Sequence, residues 1–353
     1  MTAIGNVLPA HRLDEERLWA CLTANLPGFA GPATLHQFQG GQSNPTYLIT
    51  TATRRYVLRK KPPGELRPGA HLIEREYRIL RALAGTAVPV APALLLCEDP
   101  AVIGTAFYVM DFVAGRICEE VALPAVPVAQ RRAHYEAMIG TLAALHNTDW
   151  RPLGLVDFGK PERYIERQVE RLSQRFPGPR TEAVPLLDAL GGWLRHHLPH
   201  EQSVTIVHGD FRPGNLIFAP DAPRIAAVLD WELATLGHPL CDLAFLCTMY
   251  HLPPGTRRLD GLAGLDLAAL GLPDEHELIA SYCRETGRTS LSDWRFFLAF
   301  AFFRVAALCQ SVYARALAGN AADTDAVNFD TLARLLAETG LVIATGTETA
   351  DPA

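Results

Sequence analysis

Residues 206–218 read IVHGDFRPGNLIF, and this stretch decides the fold of the chain. A short apolar run leads into Asp210, and Asn215 follows five positions later. A second apolar run, residues 225–229, then ends at Asp230. Short apolar runs bounded by glycine, proline and acidic residues are typical of strands. The pattern therefore predicts two carboxylates and one amide displayed at the ends of short strands.

The three side chains match what phosphoryl transfer requires. This reaction needs little covalent chemistry from a protein, but it needs positioned groups. One carboxylate accepts a hydrogen bond from the attacking hydroxyl, and an amide oxygen and a second carboxylate hold Mg²⁺ across the phosphates. Asp210, Asn215 and Asp230 supply these groups in that order. The alternative interpretation is a polar turn between two strands with an unrelated acid beyond it.

The stretch resembles the catalytic loop H-G-D-x-x-x-x-N of the aminoglycoside phosphotransferase and choline kinase superfamily. In that superfamily a later Asp takes the place of the Asp in the protein-kinase D-F-G motif. Residues 229–244, LDWELATLGHPLCDLA, are similar to the family's continuation. The resemblance implies that Asp210 is the catalytic base or orients the hydroxyl. It also implies that Asn215 and Asp230 are metal ligands and that the cofactors are ATP and Mg²⁺.

Two further residues of this region are expected to support the loop. His208 is expected to pack and hydrogen-bond beneath it, with a chemical role as the alternative. Asp242 is expected to anchor the loop, with substrate contact as the alternative. A protein kinase is disfavoured, because D-W-E replaces D-F-G and no A-P-E-like segment follows.

Residues 38–47, FQGGQSNPTY, lie where the family has its phosphate-covering loop. The glycine pair lets backbone amides approach phosphate oxygens, and polar side chains could add donors. The resemblance implies nucleotide contacts at Gly41, Ser43 and Asn44. The alternative is a glycine turn of a hairpin that binds nothing.

Residues 56–59, YVLR, occupy the place of the strand that ends in lysine in protein kinases. A strand period of two puts Val57 and Arg59 on one face, so Val57 could lie over adenine while Arg59 reaches the phosphates. Arginine stays charged and grips phosphate with two donors, so it can replace lysine there. Lys60 is the alternative cation, although alternation sends it to the opposite face.

Two more positions complete the predicted nucleotide site. Glu76 is expected to pair with Arg59, with Glu74 or a solvated charged face as alternatives. Residues 107–112, FYVMDF, resemble the strand that enters the hinge between the lobes, whose backbone binds the adenine edge. This implies nucleotide contacts through backbone groups of Asp111, Phe112 and Val113, with Met110 directly before them. For Met110 the alternative is plain core packing.

A strand-rich first third followed by a helix-rich remainder predicts an α+β fold. The resemblance implies a protein-kinase-like fold with two lobes. Residues 1–113 are predicted to form a small, strand-rich, nucleotide-binding lobe, and residues 114–343 a larger helical lobe for catalysis and substrate binding. Residues 344–353 are small and polar, so we expect a flexible tail.

Composition narrows the class of protein. The net charge of −6 argues against a dedicated nucleic-acid binder. Seven scattered cysteines without a C-x-x-C pair indicate neither a disulfide framework nor a zinc site. No signal-like N-terminus occurs, and the apolar run at 296–303 is too short to span a bilayer. We therefore expect a cytoplasmic protein without a membrane partner.

The substrate side resembles one branch of the superfamily, the phosphotransferases related to domains fused to acyl-CoA dehydrogenases. The similar segments are residues 57–64, 75–78 and 159–168. This implies a hydroxylated metabolite as small-molecule substrate, such as a hydroxyacyl thioester or its acid. The alternatives are an antibiotic phosphotransferase of the aminoglycoside type and a nucleotide-binding regulator without turnover.

One charge pattern on the substrate side has two interpretations. Arginines recur at spacings of four residues: Arg163, Arg167, Arg171 and Arg175. They could form a solvated helix face or a cationic wall for a carboxylate or CoA phosphates.

Overall fold

The computed structural model describes residues 4–39, 44–62, 73–174, 183–200, 203–256, 259–317 and 329–346. The chain divides into two units. Unit 1 comprises Met1–Cys118, Arg151–Val156 and Pro213–Ala234. Unit 2 comprises Glu119–Trp150, Asp157–Arg212 and Thr235–Ala353.

Unit 1 is built on a six-stranded antiparallel sheet with strand order β1-β2-β3-β4-β6-β5. Strand β4 pairs with β3 on one side and with β6 on the other, so Arg59 lies between Thr46 and Tyr108. The strands are β1 (Ile4–Gly5), β2 (Thr34–Phe38), β3 (Thr46–Thr50), β4 (Arg55–Lys60), β5 (Ala93–Cys97) and β6 (Phe107–Asp111).

Helices cover the sheet of unit 1. Helix α1 (Glu15–Asn25) begins after Asp14, whose side chain accepts a hydrogen bond from the Arg17 amide, as expected for an N-cap. It packs in the core cluster with the sheet face that carries Tyr56 and Leu58. Helix α2 (Ile73–Leu83) buries Glu76 among apolar residues, and α3 (Pro100–Ile103) is a short turn of helix.

A later hairpin completes unit 1. Strands β9 (Leu216–Phe218) and β10 (Ile225–Val228) pair with each other, and β9 also pairs with β7 (Arg116–Ile117). A bridge between Val90 and Val228 ties the hairpin to the N-terminal segment. These backbone pairings place residues 213–234 in unit 1. The lobe boundary predicted from the sequence, at residue 113, places the same residues in the helical lobe.

Unit 2 is mainly helical, and its described residues include the antiparallel strands β8 (Thr205–Val207) and β11 (Thr235–Gly237). Helix α7 (Leu240–Cys247) has no amphipathic pattern from which it could be predicted, because all eight of its residues are buried. The helices are α4 (Val128–Asn147), α5 (Tyr164–Ser173), α6 (Ala183–His196), α7 (Leu240–Cys247), α8 (Glu275–Thr286), α9 (Trp294–Leu317) and α10 (Phe329–Thr345).

The last two helices bear on two sequence expectations. Within the described residues, only α9 is long and apolar enough to cross a membrane, and 67% of that apolar stretch is buried inside the fold, as in a core helix. Helix α10 continues to Thr345, so the first two positions of the predicted tail are helical. Residues 347–353 lie outside the described part of the chain.

Candidate active site

Three carboxylates surround the guanidinium of Arg59 in unit 1. Its Nε lies 3.1 Å from Glu76 Oε2. Its Nη2 lies 2.7 Å from Asp230 Oδ1 and 3.6 Å from Glu232 Oε2. Because one positive charge faces three carboxylates, negative charge is in excess around Arg59. Burial opposes the charge of Arg59, but Glu76, Tyr108 and Asp230 together raise its pKa.

Glu76 is the most deeply buried carboxylate of this cluster, with a side chain only 2% exposed. Asn44 Nδ2 donates to its Oε1 at 3.0 Å, and the Tyr108 hydroxyl donates to its Oε2 at 3.0 Å. Burial raises the pKa of Glu76 to about 7, although the adjacent Arg59 opposes the rise. The alternative candidate, Glu74, pairs with Lys61 instead.

Because the pKa of Glu76 is raised, the pH dependence of stability should differ between the wild type and Glu76→Gln in the nucleotide-free protein. A carboxyl whose pKa is about 7 folded and about 4.5 unfolded loses stability as it ionises, so the wild type weakens as pH rises through that window. Gln does not titrate. We expect the Tm of Glu76→Gln relative to wild type to rise by about 5 °C between about pH 5 and about pH 8.

The measurement is calorimetry across that pH range, with Glu74→Gln on the same helix as the matched control. The control removes a carboxylate that pairs with Lys61 instead of Arg59. A pH-independent difference for Glu76→Gln would mean that Glu76 is ionised at all these pH values.

The side chain of Asn44 has one acceptor atom that receives no hydrogen bond from the described residues. Its side chain is 3% exposed. Its Oδ1 is buried and accepts no hydrogen bond from the described residues. Two other residues predicted for the phosphate-covering loop, Gly41 and Ser43, lie outside the described residues.

Two apolar residues lie on the same sheet face as Arg59. Val57 and Met110 are direct cross-strand partners on β4 and β6. Both are buried, with 7% and 8% of their surface exposed. Their position fits the predicted apolar contact with adenine, which stays a prediction. Lys60, the alternative cation, lies on the opposite face, where burial lowers its pKa.

The structure changes the expectation for Asp111 and Phe112. Their backbone N–H groups donate to carbonyls within unit 1, at 2.9 and 3.2 Å. The Asp111 carboxylate accepts hydrogen bonds from Arg54 at 2.6 and 2.7 Å. Both amides already donate hydrogen bonds within unit 1. The predicted contact with the adenine edge would therefore be made by carbonyl groups at these positions or by the backbone of Val113.

The two predicted metal ligands lie at the same end of the β9–β10 hairpin. Asn215 ends a short 3-10 helix before β9, and Asp230 follows Leu229 after β10. The Leu229 amide donates to the Asn215 carbonyl at 2.8 Å, which ties the backbone at the two positions together. The local pairing of the hairpin therefore holds both ligands within unit 1.

Asp230 has an unusual backbone conformation. Its φ of 63° and ψ of 59° lie in the left-handed region, which few residues other than glycine adopt. Such a conformation costs about 1 kcal/mol or more and is concentrated at functional sites. The Asp230 side chain is 32% exposed, whereas Arg59 is 14% exposed. Asp230 is thus held in a strained conformation with its carboxylate accessible.

The donor atoms around Asp230 fit Mg²⁺. This ion prefers oxygen ligands and takes one or two carboxylates, with phosphates and waters completing its shell. The described residues contain no group of three or more His, Cys, Asp or Glu side chains arranged for a metal. An amide oxygen from Asn215 and a carboxylate from Asp230 would be the protein ligands, next to a cluster with excess negative charge.

Asp210 follows β8 in unit 2, and hydrogen bonds hold the backbone before it. The amides of His208 and Gly209 donate to the two carboxylate oxygens of Asp242 at 2.6 and 2.8 Å. The Asp210 amide donates to His208 Nδ1 at 3.2 Å. Gly209 has a φ of +85°, which a side chain would strain. His208 and Asp242 therefore have the supporting positions expected of them.

Asp242 is fully buried, and its surroundings favour the charged form. Burial alone would raise its pKa, but His146, His208 and the Gly209 amide together hold the pKa below its usual range. His146 Nε2 lies 3.4 Å from Asp242, and its Nδ1 lies 2.7 Å from the Tyr282 hydroxyl. Asp242 is therefore an ionised anchor for the loop at neutral pH.

Two charged neighbours were not predicted as site residues. Arg212 Nε lies 3.6 Å from Asp210 Oδ2, and its Nη1 lies 3.8 Å from Glu119 Oε2. Arg212 occupies an unspecified position of the H-G-D-x-x-x-x-N pattern, so the motif carries no signal for it. Glu232, beside Arg59, stands in the D-W-E segment and could have been found there.

The arginines of α5 bond to groups close by in sequence. Arg163 pairs with Glu166, and Arg167 donates to the Lys160 carbonyl. Arg171 donates to Gln168. Arg175 lies outside the described residues. These local bonds favour the solvated helix face over a cationic wall.

Comparison with known proteins identifies the family. The model of the phosphotransferase enzyme family (APH) matches residues 34–278 of the chain. The chain belongs to this phosphotransferase family. Mouse acyl-CoA dehydrogenase family member 10 is 45% identical over 308 residues, which are 87% of this chain and 29% of that protein. The chain therefore spans less than a third of that relative's length.

Solved structures agree with this membership of the phosphotransferase family. A protein of Ralstonia eutropha, provisionally named an aminoglycoside phosphotransferase, is 45% identical with a TM-score of 0.86, covering 96% of this chain and 100% of its own. Choline kinase of Cryptosporidium parvum is 12% identical with a TM-score of 0.62, covering 94% and 97%, and shares the fold alone. The predicted α+β, protein-kinase-like fold is confirmed.

Proposed function

We propose that this phosphotransferase is a small-molecule kinase that transfers the γ-phosphate of ATP to a hydroxyl group of its substrate. The observation that carries the proposal is the cluster of Arg59, Glu76 and Asp230. It combines a buried cation suited to phosphate with a strained, accessible carboxylate suited to a metal ion. Membership of the phosphotransferase family supports the same reaction class.

Each residue of the proposal has a separate task. When bound, ATP and Mg²⁺ supply the phosphoryl group and stabilise the charge that develops on it. Arg59 binds phosphate oxygens, and Glu76 holds the guanidinium in place. Asn215 and Asp230 bind the metal ion through oxygen atoms. Asp210 accepts the hydrogen bond of the substrate hydroxyl and takes its proton as the oxygen attacks phosphorus.

The acceptor that we propose is a hydroxylated metabolite, in particular a hydroxyacyl compound. Support comes from the 45% identity to a protein named as an acyl-CoA dehydrogenase family member. We also propose a cytoplasmic location with no nucleic-acid or membrane partner. The seven cysteines are thiols and not disulfides, which suits a reducing compartment, and the net charge is −6.

The test is a screen for substrate-dependent release of ADP in the presence of Mg²⁺ and ATP. The panel contains hydroxy acids, their CoA thioesters, choline and aminoglycosides. We expect a hydroxyacyl compound to give the highest rate, and Asp210→Asn to remove that rate. Tight binding of Mg-ATP with no response to any acceptor would contradict the proposal and favour a regulator. A higher rate with an aminoglycoside would contradict the acceptor class alone.

A further inference from the structure

Arg304 lies in the middle of helix α9, within a long apolar run of unit 2. Residues 296–310 of α9 read FFLAFAFFRVAALCQ, and Arg304 is the one ionisable side chain in that run apart from Cys309. Burying a charge is costly unless specific partners compensate it. Arg304 is partly buried. Its contacts therefore identify the groups that compensate its charge.

The guanidinium of Arg304 donates a hydrogen bond to the carbonyl of Gly209, the residue before Asp210. It also lies over the ring of Phe245, 5.2 Å from the ring centroid. Phe245 stands three residues after Asp242 on α7, so the two side chains share one face of that helix. Helix α7 thus anchors the catalytic loop through Asp242 and supports Arg304 through Phe245.

Different groups hold successive peptide units of the loop. The carboxylate of Asp242 accepts hydrogen bonds from the amides of His208 and Gly209. It therefore holds the peptide units 207–208 and 208–209. The last peptide unit, between Gly209 and Asp210, has its carbonyl on Arg304 and its amide on His208 Nδ1 at 3.2 Å. Arg304 is thus one of the groups that hold this peptide unit.

We propose that Arg304 is a positioning residue that fixes the Gly209–Asp210 peptide unit and thereby aligns the carboxylate of Asp210. The assignment of a catalytic task to that carboxylate rests on the proposed function, whereas the effect on the loop does not. Misplacement of a catalytic group by about 1 Å can lower a rate about a hundredfold. Arg304 therefore controls turnover without contacting the substrate.

The first test needs no substrate. Hydrogen exchange is measured by mass spectrometry on a peptide covering residues 206–212 in wild type, Arg304→Met, Arg304→Lys and Arg315→Met. Arg315 is an exposed arginine on the same helix and serves as the matched control. We expect this peptide to exchange about tenfold faster in Arg304→Met, because a charged hydrogen bond to the loop is lost. Lysine should restore most of the protection.

Two results would overturn the proposal. Unchanged exchange at residues 206–212 in Arg304→Met would show that the loop does not depend on the guanidinium. Faster exchange across all peptides of unit 2, with a lowered Tm, would make Arg304 a residue of general stability.

The second test uses the acceptor that gives the highest rate in the screen. Arg304→Met should lower kcat about ten- to a hundredfold and leave KM for ATP within about threefold. A rise in KM with unchanged kcat would contradict positioning. If the wild type phosphorylates no acceptor, the proposed function fails, while the exchange result still decides whether Arg304 holds the loop.

Discussion

Asp210→Asn is expected to lower kcat about a thousandfold, while the affinity for Mg-ATP changes less than about threefold. An amide has the size of a carboxylate but cannot take the proton of the attacking hydroxyl. The loop itself should keep its shape, because the backbone before Asp210 is held by Asp242 and His208.

The measurement combines steady-state kinetics with calorimetric titration of Mg-ATP. Asp221→Asn is the matched control, because Asp221 is an acidic residue with 72% of its side chain exposed in the turn between β9 and β10. Full activity of Asp210→Asn would remove Asp210 from the catalytic role. An equal loss of ATP affinity and kcat would indicate a nucleotide contact instead.

Periodicity explains why several parts of the candidate site were predictable. Alternation along β4 places Val57 and Arg59 together and sends Lys60 to the other face. The helical period likewise separates Glu76 from Glu74 on α2, because Glu76 lies three positions from the buried Ile73 and four from the buried Leu80. The structure shows the Arg59–Glu76 pair, and its role toward nucleotide stays a prediction.

Other features left no local signal in the sequence. Helix α7 is buried on every side, so its apolar run has no amphipathic period. The contact of Arg304 with the Gly209 carbonyl joins residues 95 positions apart, and no spacing rule connects them. The membership of residues 213–234 in unit 1 likewise depends on pairing of β9 with β7, which lies about a hundred residues earlier.

Resemblance to a family strand does not identify which backbone groups of Asp111 and Phe112 are available to a ligand. Likeness to a hinge strand implies that backbone groups at these positions bind adenine, and hydrogen bonds within unit 1 already use both N–H groups. Hydrogen bonds between strands depend on register, and register depends on partners elsewhere in the chain. A motif can therefore identify the strand without identifying which of its backbone groups remain available.

Asp230→Asn is expected to abolish the Mg²⁺ dependence of ATP binding. In the wild type, Mg²⁺ should raise ATP affinity about a hundredfold or more, because Asp230 and the phosphates share the ion. The variant loses the carboxylate ligand but gains a less negative cluster around Arg59. ATP without metal should therefore bind the variant at least as well as it binds the wild type. Asn suits the test better than Ala, because it tolerates the left-handed backbone of Asp230.

Calorimetric titration of ATP with Mg²⁺ and with EDTA separates the two roles that Asp230 could have. If Asp230 only holds Arg59 through their 2.7 Å contact, the variant should lose affinity equally with and without Mg²⁺. If Asp230 is a metal ligand, only the affinity with Mg²⁺ should fall. Asp221→Asn changes an exposed acid in the same hairpin and should leave both affinities unchanged. An Mg²⁺ dependence that persists in Asp230→Asn would remove Asp230 from the metal site.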